Sequence, residues 1–285
     1  MANWLTYFKE RFPFPVYFIL VSGFALSGNV LAVGAFDALG FAYVFVGFMV
    51  FFALLRLMDE LKDYEKDLVV HPKRPLPRGI LKTETVAKVI RATAVVMVLY
   101  SGVLASLLNH EAGALYLIVT IWLWGMYKEF YLGSWLVDRP LLYAITHQLI
   151  LLPLCAFAVV AHDGARLMEP STWWFGSCIL GAFFSYEVCR KLDPRAHPLL
   201  KTYLYIYGPS RTWLLVTALN IIAGVSAFFL DLGWWLWLPE VATIMAVGWV
   251  TKWPLKYKWG ESTATLSLVL HIWALSFAYF LSFRG

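Results

Sequence analysis

A short acidic segment lies between two apolar stretches of the chain, with the sequence Arg-Leu-Met-Asp-Glu-Leu-Lys-Asp-Tyr-Glu-Lys-Asp at positions 56–67. The carboxylates that recur in it at spacings of three and four residues are Asp59, Glu60, Asp63 and Asp67. Residues at these spacings are neighbours on one face of a helix, where like charges repel each other. Mg²⁺ is commonly held by one or two carboxylates together with phosphate oxygens. The pattern indicates a Mg²⁺ site. The alternative is a solvated acidic helix that Lys62 and Lys66 neutralise.

A basic turn follows the acidic segment directly, with the sequence His-Pro-Lys-Arg-Pro-Leu-Pro-Arg-Gly at positions 71–79. Its prolines stiffen the backbone, and its cations are Lys73, Arg74 and Arg78. An arginine forms bidentate contacts with phosphate, whereas a lysine acts as a point charge. Acidic and basic groups side by side are suited to holding a metal and a polyphosphate together. His71 is a candidate ligand or a structural hydrogen-bonding residue.

A second charged segment has the sequence Ser-Tyr-Glu-Val-Cys-Arg-Lys-Leu-Asp-Pro at positions 185–194. Glu187 and Arg190 are one helical turn apart at the end of an apolar stretch. A carboxylate beside a membrane span is costly unless it is paired or bound to a metal. Glu187 is therefore a candidate functional residue, and the alternative is an ion pair with Arg190 or Lys191.

The composition indicates an all-α protein that spans a membrane several times. Hydrophobic residues make up 61% of the chain and charged residues only 14%, against about 25% charged residues in soluble domains. A membrane helix needs about 20 largely apolar residues, and nine stretches of this chain qualify approximately. The predicted spans are residues 13–35, 39–56, 86–108, 112–127, 138–161, 172–190, 211–230, 234–251 and 264–282.

The distribution of basic residues predicts the orientation of these spans. Of 23 Lys and Arg residues, only Arg166 and Arg284 fall on one side of the predicted membrane. The other side is therefore cytoplasmic, since basic residues concentrate in cytoplasmic loops. The N-terminus and both charged loops are predicted to be cytoplasmic and the C-terminus outside. The net charge of +5 has the same explanation, so no nucleic-acid partner is expected. No linker divides the chain, and residues 1–285 are predicted to form a single domain.

These segments resemble the UbiA superfamily of intramembrane prenyltransferases. Its first signature is Asn-Asp-x-x-Asp-x-x-x-Asp, commonly followed by His-Pro-x-Arg-Pro-Leu-x-x-Gly. In this chain Asp59 stands for the Asn and Glu60 for the first Asp, while Asp63 and Asp67 match the others. The run His71–Gly79 then matches throughout. The resemblance covers the whole chain and implies a UbiA-like bundle of helices.

The second signature is matched less closely. Some members of the family carry Glu-Ile-Val-Lys-Asp-x-x-Asp. Glu187 matches its opening and Arg190 replaces the Lys, but Lys191 stands where the first motif Asp would be, and Asp193 is one residue short of the next. The second metal site has therefore lost a carboxylate and gained a cation. Binding of a single ion, or direct contact of Lys191 with the diphosphate, are both open.

The resemblance implies roles for individual residues. Those implied as Mg²⁺ ligands are Asp59, Glu60, Asp63, Asp67, Glu187 and Asp193. Those implied in catalysis are Glu60, Asp63, Asp67, Glu187 and Arg190, and those implied in substrate binding are Lys73, Arg74, Lys191 and Lys201.

The expected activity is Mg²⁺-dependent transfer of a prenyl group from a prenyl diphosphate to a lipophilic acceptor, for which an aromatic compound is one candidate. Membrane lipids are the surrounding partners. One alternative is a terpene cyclase of the same fold, which ionises the same diphosphate without an acceptor. Another is a non-catalytic lipid carrier or small transporter. A transporter would carry charged residues at the membrane midplane, whereas the ionisable residues of this sequence cluster at the predicted cytoplasmic surface.

Overall fold

A computed structural model describes residues 2–282 of the chain, and over that range it contains helices and turns but no strand. The all-α prediction is confirmed. Arg284, which entered the predicted orientation, lies outside the described residues. The contacts within the chain divide the chain into two compact units, Met1–Leu167 and Met168–Gly285. The prediction of a single domain stays a prediction.

The first unit contains nine α-helices among its described residues. They are α1 Ala2–Arg11, α2 Phe14–Val33, α3 Ala38–Lys62, α4 Tyr64–Val70, α5 Thr83–Leu107, α6 His110–Tyr127, α7 Gly133–Val137, α8 Pro140–Gln148 and α9 Leu151–Val160. Helix α3 packs on α2, α5 and α6, and α9 packs on α2 and α6. Buried aromatic rings fill the space between these helices, and the ring centroids of Phe24 and Phe48 are 5.0 Å apart.

The second unit contains four α-helices within the described range. They are α10 Pro170–Cys189, α11 Tyr203–Phe229, α12 Trp237–Lys252 and α13 Tyr257–Ser282. Each helix packs on two others, so that α10, α11, α12 and α13 form a closed ring. A buried pair joins α12 to α13, with His271 Nε2 2.8 Å from Glu240 Oε1. Because an ionisable side chain is costly among apolar helices unless it has a partner, this pair fixes the contact between the two helices.

Each predicted span coincides with a helix, except that residues 138–161 form α8 and α9. The interruption follows from Pro153, which lacks the N–H that would bond to the carbonyl of Leu149. That carbonyl instead accepts a hydrogen bond from Leu152, at 3.1 Å. A second interruption lies inside α11, where Gly208 has a φ of 72° and precedes Pro209. An L-residue with a side chain would be strained at this φ.

Six stretches of the described chain are long and apolar enough to cross a membrane. The most telling is α5, because only 22% of its most apolar window is buried. Its exposed valines and leucines require an apolar solvent on the outside. The protein is therefore an integral membrane protein, whereas the predicted number of nine crossings stays a prediction.

Candidate functional site

The acidic segment runs from the end of α3 into α4, and the helix is distorted at the one position between them. The backbone N–H of Asp63 donates to the carbonyl of Asp59 (2.9 Å), that of Asp67 to Asp63 (2.8 Å), and that of His71 to Asp67 (2.9 Å). These consecutive bonds place the three aspartates one turn apart along the helix axis. Glu60 is rotated by about 100° from Asp59, and its side chain has a different environment.

Glu60 is buried in an ion pair with two arginines. Its Oε1 accepts a hydrogen bond from Arg11 Nε at 2.5 Å and lies 3.3 Å from Arg56 Nη2. The side chain of Glu60 is 1% exposed. Its Oε2 atom and the hydroxyl of the neighbouring Tyr7 are buried without a hydrogen-bond partner among the described residues. Glu60 therefore faces α1, where two arginines neutralise its charge.

Asp67 is the second buried carboxylate of this segment. Its side chain is 2% exposed and lies 2.6 Å from Arg74 Nη1. The pair connects α4, which contains Asp67, to the basic turn, which contains Arg74. The backbone N–H of Arg74 donates to the carbonyl of His71, and this bond holds Arg74 one turn beyond His71. The Asp67–Arg74 pair joins the acidic and the basic half of the first signature.

Asp63 and Asp59 are the more accessible carboxylates. Asp63 is 39% exposed and bonds to Lys66 at 2.9 Å. Asp59 is half-buried and lines a small cleft with Lys62. Lys62 donates to the hydroxyl of Tyr143 on α8 at 2.8 Å. Of the two lysines expected to neutralise the acidic helix, Lys66 bonds to Asp63, and Lys62 bonds to a tyrosine of another helix.

The charged segment of the second unit is organised around Glu187. Arg190 donates from Nε to Glu187 Oε2 and from Nη2 to Oε1, the latter at 3.0 Å, and Lys191 Nζ lies 2.6 Å from Oε1. Glu187 therefore carries both of the ion pairs that the sequence offered as the alternative to a metal. Asp193 is the acceptor of the Arg195 backbone N–H. Although partial burial opposes ionisation, this bond and the Arg195 charge lower the pKa of Asp193.

Lys201 has a backbone conformation that few lysines adopt. It ends a short turn at φ 43° and ψ 54°, in the left-handed region, and its side chain is exposed. This region costs a residue with a Cβ about 1–2 kcal/mol. Lys201→Gly is therefore expected to stabilise the protein by about 1 kcal/mol, raising the Tm in detergent by about 2 °C. Lys82→Gly is the matched control, because exposed Lys82 has an ordinary φ of −79° and should gain nothing. If the Tm of Lys201→Gly were lower than that of the wild type, the backbone of Lys201 would not be strained.

The donor chemistry fits Mg²⁺ in part. Over residues 2–282 no group of three or more His, Cys, Asp and Glu side chains is placed to hold a metal ion. Glu60, Asp67 and Glu187 are held by basic side chains. Asp59 and Asp63 are the more accessible carboxylates and lie one turn apart, and two carboxylates with phosphate oxygens are a usual Mg²⁺ environment.

Three contacts of the site were not predicted from the sequence. Arg56 stands four residues before Glu60, and this spacing alone could have indicated their ion pair. Arg11 is 49 residues away from Glu60, and Tyr143 is 81 residues away from Lys62. No local pattern could have found these two partners.

Comparison with known protein families finds no match, and comparison with curated proteins finds none either. A solved structure from a study of digeranylgeranylglyceryl phosphate synthase in membranes is similar, with a TM-score of 0.63. The two chains are 17% identical, and the match covers 97% of this chain and 98% of the other. This chain has the UbiA-type fold.

Within the UbiA-type fold, the two charged segments of this chain depart from the signature to different degrees. The first keeps Asp63, Asp67 and the whole of His71–Gly79. The second has Lys191 in place of an Asp, and this lysine bonds to Glu187. A carboxylate at position 191 would repel Glu187 unless a cation lay between them, whereas the lysine neutralises it directly. Lys191 therefore takes the place of a carboxylate with a cation that pairs with Glu187.

Proposed function

We propose that the protein is an intramembrane prenyltransferase, which transfers a prenyl group from a prenyl diphosphate to a lipophilic acceptor. The observation that carries this proposal is the full match of His71–Gly79, adjacent to Asp63 and Asp67, in a chain with the UbiA-type fold. The similar structure comes from work on digeranylgeranylglyceryl phosphate synthase in membranes, which supports the same class of reaction for this chain.

We propose Asp59 and Asp63 as the ligands of Mg²⁺. When bound, the ion would neutralise part of the charge that develops on the leaving diphosphate. Lys73 and Arg74 lie in the basic turn that follows α4 and would contact the diphosphate oxygens. Their fixed positive charges would stabilise the leaving group as the bond between carbon and oxygen breaks. The acceptor would then attack the allylic cation and release a proton.

The site is proposed to lie at the cytoplasmic face, with the N-terminus on the same side and the C-terminus outside. The asymmetry of the basic residues supports this orientation. The apolar spans would hold the prenyl chain, and their lipid-like interior would keep water from the allylic cation. The natural source of a lipophilic acceptor is the surrounding bilayer.

Incubation of the purified protein with prenyl diphosphates of several lengths, with and without candidate acceptors, tests the proposal. An adduct formed with an acceptor supports the transferase. A hydrocarbon formed without an acceptor would instead identify a terpene cyclase. Diphosphate binding without either product would identify a carrier.

The proposal predicts that Arg74→Lys raises the KM for the prenyl diphosphate and lowers kcat/KM by about tenfold. The lysine keeps the charge but loses the planar fork that contacts phosphate through two N–H groups, and one hydrogen bond to a charged group is worth about 1.5–3 kcal/mol. Arg78→Lys is the control, because Arg78 is exposed and bonds to Glu10 at 2.8 and 3.0 Å. Equal kinetics for Arg74→Lys and the wild type would leave Arg74 with no role beyond neutralising Asp67.

A further inference from the structure

The turn between α12 and α13 combines basic and aromatic side chains. Its sequence is Lys-Trp-Pro-Leu-Lys-Tyr-Lys-Trp at residues 252–259, which we call the α12–α13 segment. The segment contains three lysines and no acidic residue, so its formal charge is +3. Basic residues interleaved with large apolar ones are typical of protein segments that lie in a membrane interface. The composition therefore favours a partner that offers both negative charge and apolar surface.

The large apolar side chains of the segment are exposed. Trp253 is 60% exposed, Leu255 71% and Trp259 65%. A proline disfavours the helical conformation at the residue before it, and Trp253 before Pro254 accordingly has a φ of −130° and a ψ of 72°. This conformation ends α12 at Lys252. Three exposed apolar side chains at one helix end indicate contact with an apolar environment.

Two of the three lysines carry a charge that the protein does not neutralise. Lys258 Nζ bonds to Glu261 Oε2 at 2.6 Å, so its charge is balanced within α13. Lys252 and Lys256 are exposed, and neither forms an ion pair with a residue in the range 2–282. These two ammonium groups belong to the same short turn as the exposed apolar side chains. The segment can therefore contact an anion and a hydrocarbon surface at the same time.

The length of the last apolar stretch places the segment at the level of lipid headgroups. The stretch Pro254–Leu281 has 28 residues, which is about 42 Å at 1.5 Å per residue, whereas the hydrocarbon core is about 30 Å thick. Its lysines and its glutamate, Lys256, Lys258 and Glu261, all lie near its start. This end of the stretch therefore extends beyond the hydrocarbon. The tryptophans of the segment fit there, because tryptophan is enriched at the membrane interface.

The α12–α13 segment lies against the second charged segment of the chain. Tyr257 hydrogen-bonds to the side chain of Asp193. A Cβ atom on Gly260 would lie 3.2 Å from the side chain of Leu192, so the start of α13 approaches that residue closely. A ligand that fixes the α12–α13 segment would therefore also hold Asp193 and its neighbours in place.

We propose that the α12–α13 segment binds an anionic phospholipid of the surrounding bilayer. Lys252 and Lys256 contact the phosphate of the headgroup, and Trp253 and Trp259 contact the glycerol and the first acyl carbons. A lipid is the occupant because the bilayer supplies both the phosphate and the apolar surface at this level. A lysine near an anionic membrane surface strengthens binding by about fivefold. This site is separate from the proposed prenyl transfer and does not depend on it.

Lipid retention by the full-length protein tests this assignment. The protein is purified from nanodiscs that contain equal amounts of phosphatidylglycerol and phosphatidylcholine with the same acyl chains, and the lipids that stay bound are identified by native mass spectrometry. The wild type is expected to prefer phosphatidylglycerol by about tenfold or more, since two lysines each contribute about fivefold. The double variant Lys252→Gln/Lys256→Gln should reduce this preference by at least about fivefold.

The double variant Lys82→Gln/Lys88→Gln is the matched control. Both lysines are exposed at the start of α5, and residues 80–92 contain no tryptophan. The control removes the same charge from another helix end and should change the preference by less than about twofold. An equal loss in both double variants would overturn the proposal, because net charge alone would then attract the lipid. Unchanged retention in Lys252→Gln/Lys256→Gln would also overturn the proposal and would favour an acidic protein as the partner of this segment.

Thermal unfolding in detergent gives a second measurement. Added phosphatidylglycerol should raise the Tm of the wild type, because a ligand that binds the folded state stabilises it. The rise should be at least halved in Trp253→Leu/Trp259→Leu, which keeps apolar side chains but loses the indoles that favour the interface. An equal rise in the wild type and in both variants of the segment would refute the site. No prenyl diphosphate is present, so failure of the prenyltransferase assay would leave this lipid site unaffected, and failure of lipid binding would leave the prenyltransferase unaffected.

Discussion

Asp63→Asn is expected to lower kcat/KM for the prenyl diphosphate by about 100-fold or more while leaving the Tm in detergent nearly unchanged. Asparagine keeps the size of the side chain but loses the negative charge that we propose for binding Mg²⁺, and the loss of one group that stabilises the leaving group commonly costs about 10²–10³ in rate. The protein should remain folded, because Asp63 is 39% exposed and its one described ion pair, with Lys66, is at the surface. Such pairs contribute about 0–1 kcal/mol.

Glu65→Gln is the matched control for this measurement. Glu65 lies two residues further on, is exposed, and is not part of the line formed by Asp59, Asp63 and Asp67. The substitution Glu65→Gln removes one negative charge from the same helix end, as Asp63→Asn does. It should change kcat/KM by less than about twofold, since exposed charges interact weakly. Near-normal turnover in folded Asp63→Asn protein would remove Asp63 from the proposed site.

Glu60→Gln is expected to destabilise the protein by about 3–5 kcal/mol, because it leaves Arg11 and Arg56 beside a neutral side chain in a buried setting. The Tm in detergent should therefore fall by several degrees, with or without Mg²⁺. A metal ligand would behave differently, since its loss would reduce turnover and leave the Tm of the metal-free protein unchanged or higher. Thermal unfolding with a chelator and with added Mg²⁺ distinguishes the two roles.

Tyr7→Phe is a suitable comparison for Glu60→Gln. The Tyr7 hydroxyl is buried near Glu60 but has no hydrogen-bond partner within the described structure. Removing a buried polar group that makes no hydrogen bond costs little and sometimes stabilises a protein, so the Tm should not fall. If Glu60→Gln also keeps the wild-type Tm, the buried ion pair does not hold α1 in place.

Glu60→Gln and Asp63→Asn test two neighbouring carboxylates that belong to the same motif. Glu60 and Asp63 both fall on signature positions, but one is enclosed by arginines and the other is accessible. We expect Glu60→Gln to lower the stability of the protein and Asp63→Asn to lower its turnover. The signature thus predicts the positions of the charged residues, and the packing of the surrounding helices determines the role of each.

The sequence by itself determined the fold class, the helices and the first motif. Long apolar stretches can satisfy their backbone polar groups in lipid only as helices, so each predicted span coincides with an observed helix or, at Pro153, with two. Local spacing also sufficed for the ion pairs of Glu187 with Arg190 and Lys191, because residues three and four apart are neighbours on a helix.

Only the tertiary structure decided the partners of the buried acids. Glu60 meets Arg11 across 49 residues because α1 folds back against the end of α3, and Lys62 meets Tyr143 across 81 residues because α8 lies beside it. Spacing along one helix gives the direction of a side chain but not what lies opposite. That depends on how the other helices pack, and a buried carboxylate is stable only where such packing supplies its cation.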